Sequence, residues 1–239
     1  MKIYLIAGEP SGDMLGARLM HALKELAPEA EFAGVGGENM KEEGLKSLFD
    51  ISDLAVMGLA EVIPSIPKVL RRIRETVADI AAQKPDIVVT IDSWSFSSRV
   101  HKALRRQKIK VPQMHYVAPQ VWAWKKERAK TMYKYVDRLL TLFPNEPAYF
   151  IPHHLPSDFV GHPVIENTVP ETAAEEFYRK SGISPDKRIV LILPGSRHNE
   201  VSRLLPVFLE AAALLRQKYA DLQFVLPTVK TVEQQVRRM

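Results

Sequence analysis

The fold is decided by residues 3–13, which read Ile3-Tyr4-Leu5-Ile6-Ala7-Gly8-Glu9-Pro10-Ser11-Gly12-Asp13. An apolar run is followed by a glycine-containing turn and then by Leu15, Leu19 and Leu23 at helical spacing, which predicts a strand, a tight turn and a helix. Such a turn presents backbone N–H groups and side chains at the carboxyl edge of a parallel sheet, where open α/β folds bind ligands. The stretch therefore predicts an α/β protein with a candidate site at this turn.

The same pattern recurs along the first part of the chain. Further apolar, β-rich runs lie at residues 32–35, 87–91, 114–117 and 139–142, with helix-period segments between several of them. This alternation of strands and helices predicts a parallel sheet that helices cover on both faces.

Prolines mark the next change in the sequence. Six of them fall between residues 144 and 170, and because proline lacks a backbone N–H and disfavours helix in the preceding residue, this span predicts loop and interdomain linker. A second unit follows, with helices predicted around 171–180, 201–219 and 229–239 and strands at 188–193 and 223–226. We therefore expect two domains, 1–165 and 166–239. Two strands and their helices cannot cover both faces of a sheet, so we expect the second domain to be truncated, or to be completed by another segment or subunit.

Composition excludes several classes of function. The chain of 239 residues has no cysteine, which rules out a disulfide framework, a thiolate metal site and a cysteine nucleophile. The N-terminal apolar run is too short for the core of a signal peptide, and no apolar stretch approaches the roughly 20 residues of a membrane-spanning helix. The net charge is +5, with Lys and Arg grouped at residues 68–74, 105–108 and 125–128. These groups indicate an anionic partner (phosphates, an acidic lipid surface or nucleic acid) or, alternatively, ordinary solvated helix faces.

The first turn offers both polar side chains and glycines. Ser11 is predicted to cap the helix, while Gly8 and Gly12 would allow the backbone to approach a ligand closely. Glu9 and Asp13 are carboxylates beside a helix N-terminus, so they either cap the helix or line a site. They argue against phosphate binding at this turn, and the Gly-x-Gly-x-x-Gly pattern of a dinucleotide fold is missing.

Asp92 is the candidate general base. It follows the apolar run 86–91 at the ligand-binding edge of the predicted sheet, where partial burial would raise the pKa of its carboxyl toward a useful value. The alternative is that Asp92 caps the following helix, although Ser93 or Ser95 could do so instead.

Two tryptophans are predicted to open a helix near the same edge. Trp122 and Trp124 are two residues apart and cannot share one helical face. We expect one of them to pack in the core and the other to border a cleft that receives a sugar or an acyl chain, although core packing suits either one taken singly.

The second glycine turn suits a pyrophosphate. Gly195 and Ser196 follow a predicted strand and offer backbone amides at a helix start, and Arg197 adds a bidentate cation. The histidines, by contrast, show no metal-ligand spacing, and His153, His154 and His162 are interpreted as loop and linker residues.

Five motifs together resemble the lipid-A-disaccharide synthase family, and they occur in the family's order. They read Ala7-Gly8-Glu9-Pro10-Ser11-Gly12-Asp13, Ala55-Val56-Met57-Gly58, Val117-Ala118-Pro119-Gln120-Val121-Trp122-Ala123-Trp124, Gly161-His162-Pro163 and Leu193-Pro194-Gly195-Ser196-Arg197. The resemblance spans nearly the whole chain. It implies a GT-B-type architecture of two Rossmann-like domains, the first for the acceptor and the second for the nucleotide sugar, in an inverting glycosyltransferase that needs no metal or other cofactor.

The resemblance also implies the substrates and the roles of residues. UDP-2,3-diacylglucosamine would donate its sugar to 2,3-diacylglucosamine 1-phosphate (lipid X), giving a β-1,6-linked disaccharide and UDP. Asp92 matches the base on the acceptor 6-hydroxyl, and Arg197 matches the arginine facing the donor phosphates. Glu9, Ser11 and Asp13 match the loop that lines the cleft, with Glu9 counted beside Asp92 as a catalytic candidate. A cytoplasmic enzyme held peripherally at the anionic inner membrane follows, with no nucleic-acid partner and with homo-oligomerisation left open.

The family pattern continues beyond this sequence, into a Ser-Gly-Thr-Ala stretch that holds the uridine and into a final helix. Neither is present, so we expect this chain to be inactive alone. Two alternatives stay open: another nucleotide-sugar transferase or epimerase of the same fold, and a non-catalytic module whose basic faces bind anions, membrane or nucleic acid.

Residues 56–63 form an apolar segment that runs into a basic helix. Together with Lys68, Arg71, Arg72 and Arg74, this segment predicts a surface that dips into an anionic leaflet. The alternative is an ordinary amphipathic core helix.

Overall fold

Strands and helices alternate along most of the chain in this computed structural model, which describes residues 1–54, 59–166, 169–196 and 198–239 and only the backbone of 59–65 and 230–231. The strands are β1 (Lys2–Ala7), β2 (Glu31–Val35), β3 (Ile87–Ile91), β4 (Gln113–Tyr116), β5 (Arg138–Thr141), β6 (Ser157–Phe159), β7 (Arg188–Leu191) and β8 (Leu222–Val225). The helices are α1 (Pro10–Leu26), α2 (Glu38–Glu42), α3 (Leu59–Gln83), α4 (Trp94–Arg106), α5 (Ala129–Met132), α6 (Pro147–Phe150), α7 (Ala173–Ser181), α8 (His198–Lys218) and α9 (Lys230–Arg238). The chain divides into two units, Met1–Glu166 and Asn167–Met239.

The first unit is built on a six-stranded sheet in the order β2-β1-β3-β4-β5-β6, and every neighbouring pair is parallel. The five strands predicted from apolar runs in this part of the chain are confirmed, within about a residue at each end. Because the strands are parallel, their carboxyl ends lie at one edge. The turns that follow β1, β3 and β4 therefore meet there.

Two apolar layers cover the central strands. Tyr4, Ile6 and Val88 belong to a core cluster with residues of α3 and α4, whereas Leu5 and Val89 belong to a second cluster with residues of α1. Successive side chains of a strand point to opposite faces, so burial on both faces explains why β1 and β3 are apolar throughout.

The proline-rich span is a correction to the sequence prediction. Residues 144–170 were expected to be loop and linker, but they contain α6 and the edge strand β6, which pairs with β5 from Ser157 to Phe159. Phe150 and Leu155 are fully buried in a third core cluster of the first unit. Prolines are tolerated here because β6 is an edge strand and Pro156 lies just before it.

The second unit has a two-stranded parallel sheet of β7 and β8. Its core holds Ile192, Val201, Leu205 and Val232. The predicted strands and helices of this part are confirmed, although β7 ends at Leu191, two residues earlier than expected.

None of the helices in the described ranges is both long enough and apolar enough to cross a membrane.

Candidate active site

Two carboxylates meet where the turns after β1 and β3 adjoin. Glu9 is the N-cap residue of α1, and Asp92 directly follows β3. The Ser93 hydroxyl donates to Glu9 Oε1 at 3.2 Å, and the Asp92 carboxyl is hydrogen-bonded to the side chains of Glu9 and Ser11. Glu9, Ser11 and Asp92, which are predicted site residues, are thus brought together by the pairing of β1 with β3.

Burial and charge both affect Asp92. Removal from solvent, assisted by the nearby negative charge of Glu9, raises the pKa of the Asp92 carboxyl to about 6. A carboxylate with this pKa is ionised at neutral pH and accepts a proton more readily than an ordinary aspartate. The arrangement suits a general base.

The backbone at Asp92 is strained. Asp92 and Ser93 have φ values of 52° and 43°, in the left-handed region that costs non-glycine residues about 1–2 kcal/mol each. Asp92 N donates to Tyr116 O at 2.9 Å, and the Ser97 hydroxyl donates to Asp92 O at 2.8 Å. Neither capping alternative is realised, because the N-cap residue of α4 is Ser93 and its side chain makes no cap bond.

The glycines of the first turn serve packing. A Cβ at Gly12 would lie 3.0 Å from Ile91 O, and one at Gly8 would lie 2.7 Å from Ser93 Oγ. Gly8 and Gly12 therefore let the start of α1 lie close against the end of β3 and the turn that follows it. Ser11 is not the helix cap that we predicted: it lies exposed in the first turn of α1.

Asp13 has a different role from the one predicted. Its side chain is buried, and its carboxylate accepts hydrogen bonds from Gly37 N at 2.6 Å, Asn39 N at 2.9 Å and Met40 N at 3.1 Å. It also accepts from Asn39 Nδ2 at 2.8 Å. Asp13 thus caps α2, whose N-cap residue is Gly37. The prediction that Asp13 lines the substrate cleft is wrong, because its oxygens are already occupied.

The tryptophans lie in a turn, not at a helix start. Residues 121–124 form a turn beyond the carboxyl end of β4, and α5 begins only at Ala129. Trp122 and Trp124 are 47% and 65% exposed, whereas Val121 is buried, so the expectation that one tryptophan packs in the core is wrong. Both are free to contact a ligand from the same edge of the sheet as Asp92.

The second glycine turn is partly occupied. Gly195 has a left-handed φ of 113°, and Ser196 N donates to Glu200 Oε2 at 3.0 Å. Arg197 lies outside the described residues. One of the two amides predicted to bind a pyrophosphate is therefore held by a carboxylate that our sequence reasoning missed. The available signal was an acidic residue in the first turn of the following helix.

The Gly161-His162-Pro163 motif packs back on α1. Arg18 Nη1 donates to Pro163 O at 2.7 Å, and His162 lines a cleft in the first unit with Tyr116 and Glu166. Within the described ranges, no group of three or more His, Asp or Glu side chains could hold a metal ion.

Parallel α/β units with a carboxylate pair at the carboxyl edge of the larger sheet define a Rossmann-like α/β protein. Solved structures that share this fold include the following two. UDP-GlcNAc 2-epimerase from Neisseria meningitidis bound to UDP-GlcNAc has a TM-score of 0.67 at 15% identity, covering 97% of this chain and 67% of that chain. The MnaA–UDP structure from S. aureus has a TM-score of 0.65 at 18% identity, covering 98% and 64%.

Sequence comparison identifies the family. The family model described as Lipid-A-disaccharide synthetase matches residues 3–239, and this chain belongs to that family. The lipid-A-disaccharide synthases of Paramagnetospirillum magneticum and Rhodospirillum centenum are 52% and 49% identical to it, over 99% and 98% of the chain. The chain spans 61% and 59% of the length of these two relatives.

Proposed function

We propose that the protein containing this chain is a lipid-A-disaccharide synthase, which joins UDP-2,3-diacylglucosamine to lipid X and releases UDP. Family membership supports the reaction. The observation that supports the location of the active site is the pairing of Asp92 with Glu9 at the carboxyl edge of the parallel sheet. Residues 1–165 would form the acceptor domain and residues 166–239 part of the nucleotide-sugar domain.

Asp92 acts as the base in this mechanism. It takes the proton of the acceptor 6-hydroxyl while that oxygen bonds to the anomeric carbon of the donor. The bond from this carbon to the diphosphate breaks in the same displacement, UDP leaves with the electron pair, and the configuration inverts. Glu9 stays beside Asp92, and its negative charge keeps the base strong enough to accept the proton.

The remaining candidates contact the two substrates. Gly195, Ser196 and Arg197 bind the donor phosphates, for which Glu200 must release the Ser196 amide. Trp122, Trp124 and Ser11 contact the acceptor, since all three are exposed around the Asp92 edge. Aromatic faces suit both sugar rings and acyl chains.

Separate donor and acceptor assays test this function. A full-length enzyme that contains this sequence should form disaccharide and UDP only when both acylated substrates are present. Conversion of UDP-GlcNAc without an acceptor would instead support an epimerase, and the synthase assignment would be abandoned.

We further propose that the protein is cytoplasmic and binds the anionic inner membrane peripherally through α3. Ile66 and Leu70 are 46% and 44% exposed on this helix, next to exposed Arg71 and Arg74. Such a mixture suits a headgroup layer. The cationic set is smaller than the sequence suggested, because Arg72 is paired with Asp53 and Glu75, and Lys68 with Asp53. Arg71 also pairs with Glu75, at 3.4 Å, but its side chain stays largely exposed to solvent. Residues 55–58, and the side chains of 59–63, lie outside the described part of the chain.

Vesicle flotation tests the membrane proposal. Each surface cation near an anionic bilayer contributes about 1 kcal/mol, so replacing Arg71 and Arg74 by Ser should weaken partitioning by about 30-fold. Replacing Arg106 and Lys108 by Ser removes the same charge elsewhere and should have little effect. If both double variants float like the unmodified protein, α3 is not the contact surface.

A further inference from the structure

A buried chain of hydrogen bonds is centred on Thr90, which lies on β3 two residues before Asp92. Thr90 Oγ1 is 2.7 Å from His101 Nε2 and 2.6 Å from His115 Nδ1, and all three side chains are inaccessible to solvent. With its amide nitrogen 2.7 Å from His101 Nδ1, Gln113 also accepts from Arg105 Nε at 3.2 Å. The Gln113 amide thus donates to His101 Nδ1, and neutral His101 donates from Nε2 to Thr90 Oγ1. The Thr90 hydroxyl then donates its single proton to His115 Nδ1.

The two histidines are neutral in this network. Burial lowers the pKa of His101 to about 4 and that of His115 well below its ordinary value. His115 Nε2, at the end of the network, is buried without a hydrogen-bond partner in the described structure. Neither histidine therefore exchanges protons at neutral pH, and the role of the network must follow from where its residues lie.

The network connects the two sides of the strained turn at Asp92 and Ser93. Thr90 lies two residues before Asp92, and Trp94 lies two residues after it. The ring of His115 is 4.8 Å from the ring of Trp94, between centroids, while its Nδ1 accepts from Thr90. Trp94 is also stacked on Tyr135 at 6.1 Å. The residues on both sides of the turn thus contact the same buried side chain, His115, on the neighbouring strand β4.

We propose that Thr90, His115 and Trp94 form a clamp across the left-handed turn at Asp92 and Ser93, and that they are positioning residues for the Asp92 carboxylate. Two successive non-glycine residues in this conformation relax unless their surroundings over-determine it. Relaxation would carry the carboxylate away from Glu9 and Ser11. The catalytic consequence rests on the proposed function, whereas the clamp itself does not.

Carboxyl titration by NMR on the 239-residue chain tests the clamp. In Thr90→Val, which removes the hydroxyl at nearly constant volume, the titration midpoint of Asp92 should fall by about one pH unit toward that of an ordinary aspartate. Thr90→Ser should restore it. Trp94→Leu releases the other arm and should lower the midpoint as well, which keeps the test decisive if Thr90→Val does not fold.

Thr76→Val is the matched control, since Thr76 is an equally buried threonine whose hydroxyl donates to Arg72 O within α3. Its Asp92 midpoint should be unchanged. In a full-length enzyme, Thr90→Val should lower kcat by about 10- to 100-fold with KM nearly constant, and Thr76→Val should not.

Two results would overturn the clamp: folded Thr90→Val and Trp94→Leu chains with the unmodified Asp92 midpoint, or an equal shift in Thr76→Val. The proposed function fails separately. If the midpoint moves as expected but Asp92→Asn retains full turnover, the clamp stands and Asp92 is not the base.

Discussion

Asp92→Asn should lower the turnover of a full-length enzyme that contains this sequence by about 10²–10⁴-fold, the usual contribution of a general base. Asparagine preserves the shape of the side chain but cannot accept the proton of the acceptor hydroxyl. Donor affinity should change little, because Asp92 acts on the acceptor. Turnover at saturating substrate and UDP binding by calorimetry measure the two quantities.

The pH dependence follows from the raised pKa of Asp92, about 6 in the folded protein. The base must be ionised, so kcat/KM should rise as the pH increases through about 6, and the Asn variant should lack this limb. The free energy of unfolding changes in the opposite direction and falls as the pH rises. The folded state binds more protons than the unfolded state, so ionised Asp92 destabilises the fold above pH 6, and this cost disappears as the pH falls toward about 4. The Asn variant should thus be at least as stable as the unmodified protein at pH 8.

Asp158→Asn is the matched control for this prediction. Asp158 lies on β6 and pairs with Arg138 at 3.0 Å, outside the candidate site, so turnover and its pH profile should be unaffected. An Asp92→Asn enzyme with full turnover, or with an unchanged acidic limb, would remove Asp92 from the mechanism.

Asp13→Ala should lower the free energy of unfolding of the chain by about 3–5 kcal/mol. Three backbone N–H groups at the start of α2 would lose their acceptor, two of them in buried bonds. A buried donor without a partner costs the full penalty of its desolvation. Urea unfolding followed by circular dichroism measures the loss as a lower midpoint.

Two further variants define the cause. Asp50→Ala removes an exposed carboxylate that accepts from Ser52 N at 2.8 Å and from the Ser52 side chain, and should cost about 1 kcal/mol. Asp13→Asn keeps one acceptor oxygen and should be intermediate. If Asp13→Ala and Asp50→Ala are equally mild, the capping of α2 by Asp13 is energetically unimportant and Asp13 returns as a candidate for the substrate cleft.

Local chemistry made much of the fold predictable. Most strands of both units coincide with short apolar, β-rich runs, so their type and their order along the chain could be assigned without knowing any long-range contact. Asp92 could be placed at the carboxyl edge for the same reason, since every parallel strand ends there. The edge strand β6 was missed because proline masks a short strand that needs few ladder bonds.

The sequence by itself determined the α/β class, the succession of most strands along the chain and the edge at which the candidate site lies, because each depends on residues that are neighbours along the chain. Only the tertiary structure decided what each polar group contacts. Asp13 caps the start of a helix 24 to 27 residues away, and Thr90 contacts two histidines on other elements. Such partners are chosen by strand order and by packing, which bring together side chains that no local pattern links, and burial then fixes the charge and proton affinity of each.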